Sequence, residues 1–376
     1  MREDPGEPDS MDEAPDKRAL RRGWTTGACA TAATRAAFEA LRAGVFPDPV
    51  EIVLPGGQRP SFALALAELG ADYARAGVVK DAGDDPDVTH GALVLSSVRA
   101  GAPGAGVVFR AGPGVGLVTR PGRPIPPGEP AINPVPREMM RMAIAQAAGR
   151  LGVSCDVVVE LSIPGGERLA ERTLNARLGI VGGLSILGTT GIVIPYSCAA
   201  WIDTIRRGID VARAMGLEHV AGTTGRTSET AVQSLHALPE PALIEMGDFV
   251  GGMLKYLRRH PVPRLTLGGG FAKLTKLGQG RLDLHSSRGG VDFDWLADCA
   301  LSAGCDQDFA RSVRGATMAS EVLDRARREG VDLPLAVARA ACGVAAGALA
   351  GSGIELEVVV VDRGGAIVAR TPFTRT

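Results

Sequence analysis

Across residues 137–270 one arrangement recurs: an apolar run of strand length, a glycine-rich turn, then a stretch of helical character. Asp156 to Ile163 is apolar almost throughout and ends in Pro164-Gly165-Gly166. His219 to Ala221 ends in Gly222-Thr223-Thr224-Gly225-Arg226, and Leu243 to Met246 in Gly247. Ala199 to Met215 reads as an amphipathic helix closed by Gly216. Continuous apolar strands suit a sheet covered on both faces, and strands that alternate with helices build α/β layers. The pattern predicts a Rossmann-like α/β layer over 137–270.

The flanks read differently. Residues 1–18 are rich in Asp, Glu and Pro with scarcely an apolar residue, the composition of a disordered tail. In 19–136, Thr25 and Thr26 open an alanine-rich helix to about Ala43, since threonine caps well and alanine favours helix. Strands then come in runs: Val50–Leu54 with Ser61–Ala67, Ala74–Val79, Leu93–Val98 and Gly106–Arg110. That is an α+β two-layer unit. A helix from about Val135 to Leu151 leads into the central layer. Residues 271–376 are mostly helical from Phe293 to Leu349 and close with a hairpin, Glu355–Val361 and Ile367–Arg370, expected to pack back on the N-terminal unit. The fold class is therefore mixed α/β and α+β.

Composition removes several functions. Lys and Arg total 41 against 42 Asp and Glu, so no basic excess serves a nucleic acid. With 3 Trp, 3 Tyr and 9 Phe, a base-stacking surface is not expected either. No apolar run reaches membrane-spanning length and no signal-peptide core opens the chain, which reads as cytoplasmic and free of the membrane. The 6 cysteines form no CxxC pair and read as reduced thiols. No His/Cys/Asp spacing supports a protein-bound metal.

Three features remain as candidate chemistry. The glycine turns at 164–166, 182–191 and 222–225 let a ligand approach bare backbone; each alone reads first as plain turn geometry, and the three together in one layer balance the two readings. None is a full GxGxxG, so a dinucleotide is not indicated. Asp81, Asp84, Asp85 and Asp87 crowd one loop with Lys80 and His90: acid/base or ligand contact, or a solvated acidic turn. Arg120, Arg123, Arg137, Lys273, Lys276 and Arg281 sit in loops or at helix starts, where they could pair with carboxylates. Cys29, in a helix's first turn, is either a stabilised thiolate or a small packing residue.

Several blocks, in order, resemble the CbiD family of cobalt-precorrin-5B C(1)-methyltransferases. They are Gly23-Trp24-Thr25-Thr26-Gly27-Ala28-Cys29-Ala30, Lys80 to Thr89, Gly128 to Arg137, Asn175 to Ile180, Gly188 to Val193, Gly247-Asp248-Phe249-Val250-Gly251 and Lys273-Leu274-Thr275-Lys276-Leu277. Two departures stand out: Tyr196-Ser197 where the family pattern has Met-Ser, and Thr223-Thr224 within the block the family writes Gly-Asn-x-Gly-Arg.

The resemblance implies S-adenosylmethionine-dependent methylation of carbon 1 of cobalt-precorrin-5B to cobalt-precorrin-6A, in the cobalt-early (anaerobic) route to cobalamin. Cobalt arrives inside the tetrapyrrole substrate. On this reading Gly182, Gly183, Gly188, Thr189, Thr190 and Gly191 hold the cofactor, with Gly222 and Gly225 beside them. Thr25, Thr26, Lys80, Arg120, Arg137, Lys273 and Lys276 bind the acidic substrate. Asp81 and Asp84 shape the reacting face or manage a proton. A non-catalytic corrinoid carrier and a nicotinamide-dependent reductase are the competing readings. The sequence leaves open whether copies assemble into a homo-oligomer.

Overall fold

Thr25 starts the first helix as read: its Oγ1 accepts the Ala28 N–H at 3.2 Å, and Gly44 ends the helix in the left-handed region at φ 76°. The computed structural model describes residues 20–376, so the expected disordered tail, 1–18, lies outside the described residues. Helix α1 (Thr26–Ala43) is buried along most of its length because alanine and threonine permit close approach. Beside it runs α2 (Pro134–Leu151), which has proline in its first turn and ends at Gly152.

Both helices lie over a five-stranded sheet of β1 (Leu66–Leu69), β2 (Tyr73–Val79), β3 (Leu93–Ala100), β4 (Val107–Ala111) and β5 (Val157–Ser162), in the order β1-β2-β3-β5-β4. Strand β5 runs antiparallel to β3, with Val159 opposite Val98, and parallel to β4, with Val159 opposite Phe109. One core joins Ala33, Phe38, Val94, Met140, Ile144 and Leu161. This corrects the sequence reading, which gave 137–163 to the central layer. Strand β5 alternates buried and half-buried residues and finds its partners upstream, while Met140 and Ile144 of α2 bury against α1.

The second unit follows α3 (Cys198–Ala214). Strands β6 (His219–Thr223), β7 (Leu243–Glu245), β8 (Arg264–Gly270) and β9 (Glu355–Val361) are parallel, in the order β7-β6-β8-β9. Helix α4 (Arg226–His236) joins β6 to β7, and α5 (Val250–Arg259) joins β7 to β8. Between β8 and β9 come α6 (Phe271–Gly278), α7 (Phe293–Ser302), α8 (Gln307–Arg314), α9 (Ala319–Arg328) and α10 (Leu333–Ala348). Strand β10 (Ile367–Arg370) pairs antiparallel with β9, which completes the expected hairpin. That hairpin does not pack back on the N-terminal unit: β9 is a parallel neighbour of β8, and Leu356, Val358 and Val360 share a core with Leu254, Leu267, Leu296 and Val337. Among the described residues no helix is long and apolar enough to cross a membrane.

A polar network crosses this sheet. Glu357, wholly buried, accepts from Thr266 Oγ1 at 2.8 Å, faces His236 Nε2 at 2.6 Å and pairs with Arg370. His219 Nε2 meets Thr266 Oγ1 at 2.9 Å, and its ring lies edge-on to His236. Burial first, then the neighbouring His236, lowers the His219 pKa from 6.5 to about 4, against the pull of Glu357. Between those values the unfolded chain binds more protons than the folded one, so stability falls as pH drops through the window. Urea midpoints should decrease from pH 7 to pH 4.5, and His219→Gln should flatten the slope; an unchanged slope in that variant would refute the assignment.

Candidate functional site

The glycines divide sharply by what surrounds them. A side chain on Gly183 would overlap the Gly114 backbone, and one on Gly188 would strike the Thr25 side chain. Gly191 lies against Leu54, and Gly222 against Met253 and Leu267. These four are small so that neighbours can approach, and Gly166 likewise fits against Gly114. Only Gly182 and Gly225 of the expected cofactor glycines face open space. Gly270, which the sequence reading passed over, does too.

Gly225 and Gly270 occupy equivalent places. Gly225 lies two residues past β6 and Gly270 is the last residue of β8, and each is the N-cap of the next helix with no side-chain cap bond. The strands are neighbours, and the Thr224 N–H donates to Gly268 O at 3.0 Å, which holds the two turns together. From β6 the chain goes outward to β7 on one side and returns to β8 on the other. At such a reversal the two connections leave a crevice beyond the strand ends. Neither helix has a side-chain cap, so the first N–H groups of α4 and α6 have no capping side chain. Gly182 belongs elsewhere, in the first unit beside the short parallel ladder of Gly183–Leu184 with Gly114–Val115.

Several expected substrate residues are occupied internally. Thr25 caps α1, and Thr26 Oγ1 accepts the Leu187 N–H at 3.1 Å. Arg120 Nη1 donates to Arg177 O at 2.7 Å. Arg137 donates to Ile132 O, Pro130 O and Glu129, and stacks over Phe109. Lys80 is 1% exposed, and its Nζ meets Asp87 Oδ2 at 2.6 Å. These bonds hold loops in place. Thr189 is exposed, and exposed Thr190 closes a local turn through its Oγ1 to Ile192.

The acidic loop is likewise committed. Asp81 pairs with Arg21, and the bonds from Arg21 and the Gly83 N–H hold its carboxyl down at about 2. A carboxylate so acidic is a poor proton acceptor near neutrality. Asp84 Oδ2 accepts the Arg21 N–H at 2.6 Å, and Asp85 Oδ1 accepts the Tyr196 N–H at 2.8 Å. Each of these three carboxylates is thus engaged with a neighbouring segment. Cys29 is buried, and burial pushes its thiol up to about 12, which leaves packing as its role.

One contact path connects this loop with the crevice. Tyr196, bonded to Asp85, sits at φ 57°, a strained backbone for a non-glycine residue, with its side chain exposed. Two residues on, α3 begins, and its Trp201 packs near Gly247 and against Phe249. Asp248 between them pairs with Lys273 of α6. Lys276 lies one turn further along α6 and is almost wholly buried. Gly225 and Gly270 thus leave open backbone at the ends of β6 and β8, Trp201 and Phe249 pack together beside Gly247, and Lys273 and Lys276 lie on α6. The sequence reading missed Tyr196, Trp201 and Asp248 as site residues. The Gly247-to-Gly251 block was the available signal for Asp248. Among the described residues no group of His, Cys, Asp and Glu is arranged to hold a metal ion.

Comparison with known proteins gives consistent matches. The CbiD family matches residues 13–195, and the CbiD C-terminal domain matches 283–372. A protein of Methylorubrum extorquens, named cobalt-precorrin-5B C(1)-methyltransferase, is 64% identical over 93% of this chain and 97% of its own length. A protein of the same name from Bradyrhizobium sp. is 62% identical over 95% of each. A crystal structure of the cobalamin biosynthesis protein cbiD from Archaeoglobus fulgidus is 26% identical, covering 83% of this chain and 85% of that one, with a TM-score of 0.39. Identity at this level over nearly the whole length, with both family segments in order, makes the chain a member of the CbiD family.

Proposed function

We propose that this chain transfers a methyl group from S-adenosylmethionine to carbon 1 of cobalt-precorrin-5B, yielding cobalt-precorrin-6A in cobalamin biosynthesis. The observation that carries this is the 64% identity, over 97% of its length, to a protein so named. The reaction is an in-line displacement. The nucleophilic ring carbon forms the new C–C bond, the C–S bond breaks, and its electron pair stays on sulfur as S-adenosylhomocysteine leaves. The conjugated macrocycle supplies the nucleophile. The protein then has to align the reactants and exclude water.

The second unit reads as a Rossmann-like layer, and the donor lies in its crevice, over Gly225 and Gly270. Trp201 and Phe249 give the donor's nucleoside an apolar wall. The macrocycle enters from the side of the first unit, where the acidic loop and the turn at Gly188–Gly191 form the facing rim. Asp81 and Asp84 shape that rim through Arg21.

The direct test is anaerobic incubation of purified protein with S-adenosylmethionine and cobalt-precorrin-5B. The expected product is heavier by one methyl group and appears together with S-adenosylhomocysteine; an acceptor of unchanged mass would overturn the reading. Placement of the donor is tested by Gly225→Val. The Gly225 backbone is extended at φ 162° and its surroundings are open, so the variant should fold with wild-type stability. Its affinity for S-adenosylhomocysteine should fall about tenfold or more, because contact with bare backbone is blocked. Unchanged affinity in the folded variant would move the donor elsewhere.

A further inference from the structure

Three cations crowd behind α6 with too few partners. Lys276 is 6% exposed, yet its ammonium, which carries three donors, finds one acceptor, Leu284 O at 3.2 Å. Lys273 Nζ reaches the same carbonyl at 3.3 Å and pairs with Asp248. Arg281 adds a guanidinium whose Nη1 is buried without an acceptor and is covered by the backbone at Gly289. The neighbouring Asp283 pairs with Arg288 at 3.5 Å instead. Burial, then the charge on Lys273, lowers the hold of Lys276 on its proton, and Asp248 and Asp283 only partly oppose this.

A buried cation without a counter-charge is costly, and an apolar residue of similar volume in its place is often neutral or stabilising. Packing therefore does not account for Lys276 and Arg281, whereas an incoming anion would. We propose that Lys276 and Arg281, with Lys273 alongside, form a carboxylate-binding site of the crevice. The site rests on the methyltransferase reading, since both reactants carry carboxylates: the donor one on its amino-acid arm, the macrocycle several around its edge. Lys276 lies six residues along α6 from Gly270, about 9 Å at the rise of a helix. Lys273 links the cluster to the strand ends, since its Nζ pairs with Asp248, just past the end of β7.

The test uses Lys276→Met and Arg281→Leu in the full chain, with two probes for the donor side. S-adenosylhomocysteine has the carboxylate, and 5′-methylthioadenosine has the same nucleoside and sulfur without it. Each variant should keep or exceed the wild-type urea midpoint. If the site holds the donor, affinity for S-adenosylhomocysteine falls about tenfold or more while that for methylthioadenosine is unchanged. If it holds the acceptor, both affinities persist and the KM for cobalt-precorrin-5B rises by a similar factor. Folded variants that change neither quantity by as much as twofold would overturn the site and leave the methyltransferase reading intact. A wild-type protein that neither binds S-adenosylhomocysteine nor methylates would remove both. Should Lys276→Met unfold, Arg281→Leu, whose Nη1 has no protein partner to lose, carries the same test.

Discussion

Lys80→Ala should lower the stability of the chain by about 3–5 kcal/mol, the usual result of removing one partner from a buried ion pair. Lys80 sits at the end of β2 with its ammonium sealed from water against Asp87. Asp87 organises the loop: its Oδ1 also accepts the Thr89 N–H at 2.7 Å and the Thr89 hydroxyl at 2.6 Å. Burial would raise the Asp87 carboxyl, but Lys80 and Thr89 outweigh it and hold it below its ordinary range. Without the ammonium a mostly buried carboxylate loses its counter-charge, and the segment carrying Asp81, Asp84 and Asp85 loses its anchor. The urea midpoint should drop at pH 7, and Lys80→Met combined with Asp87→Asn should cost less than Lys80→Met alone. A single variant within about 1 kcal/mol of wild type would show that the pair is not a structural anchor. Substrate-binding at Lys80 predicts the opposite pattern, a raised KM with stability intact.

Gly114→Ala should be comparably damaging, at about 3 kcal/mol or more from overpacking and backbone strain together. Gly114 has φ 79°, and a side chain there would run into the Ile163 carbonyl. The same residue receives Gly166 and Gly183, so three strand-end segments meet with only main chain between them. Gly104 provides the control: its φ is 78°, but nothing surrounds it. Gly104→Ala should lose about 1 kcal/mol from conformation alone. The difference between the two midpoints then isolates the steric contribution. Equal losses would mean that the crossing of main chains at Gly114 tolerates a methyl group.

The elements that local chemistry marks were legible in the sequence. Thr25 announces α1, the helix expected from about Val135 begins at Pro134, and the two strands of the final hairpin fall at Glu355–Val361 and Ile367–Arg370 as read. What failed was everything decided at a distance. Val157 to Ser162 shows its strand character locally, but nothing within it says that its neighbours are 93–100 and 107–111. Strand β8 was missed because it ends in Gly268-Gly269-Gly270, which reads as a turn. In the structure Gly268 and Gly269 are small to admit Val232 and Thr224, and Gly270 alone borders the crevice. The candidate site failed in the same way. A glycine that packs and a glycine that faces a ligand have the same letter, and an arginine that ties down a loop looks like one that awaits an anion. Arg120 and Arg137 have carbonyl partners, whereas Arg281 Nη1 has none, and only the folded chain separates them.

The parallel pairing of β8 with β9 also fixes an order of events during synthesis. Five helices lie between these neighbours, so on a ribosome β8 stays a sheet edge until residues 355–361 have emerged. The first unit, whose core closes with residue 186, has by then had time to form. The nascent second unit meanwhile presents a row of unpaired main-chain groups along β8, the kind of edge that recruits other strands. Its late strand, residues 355–361, both completes the parallel part of the sheet and ends that exposure.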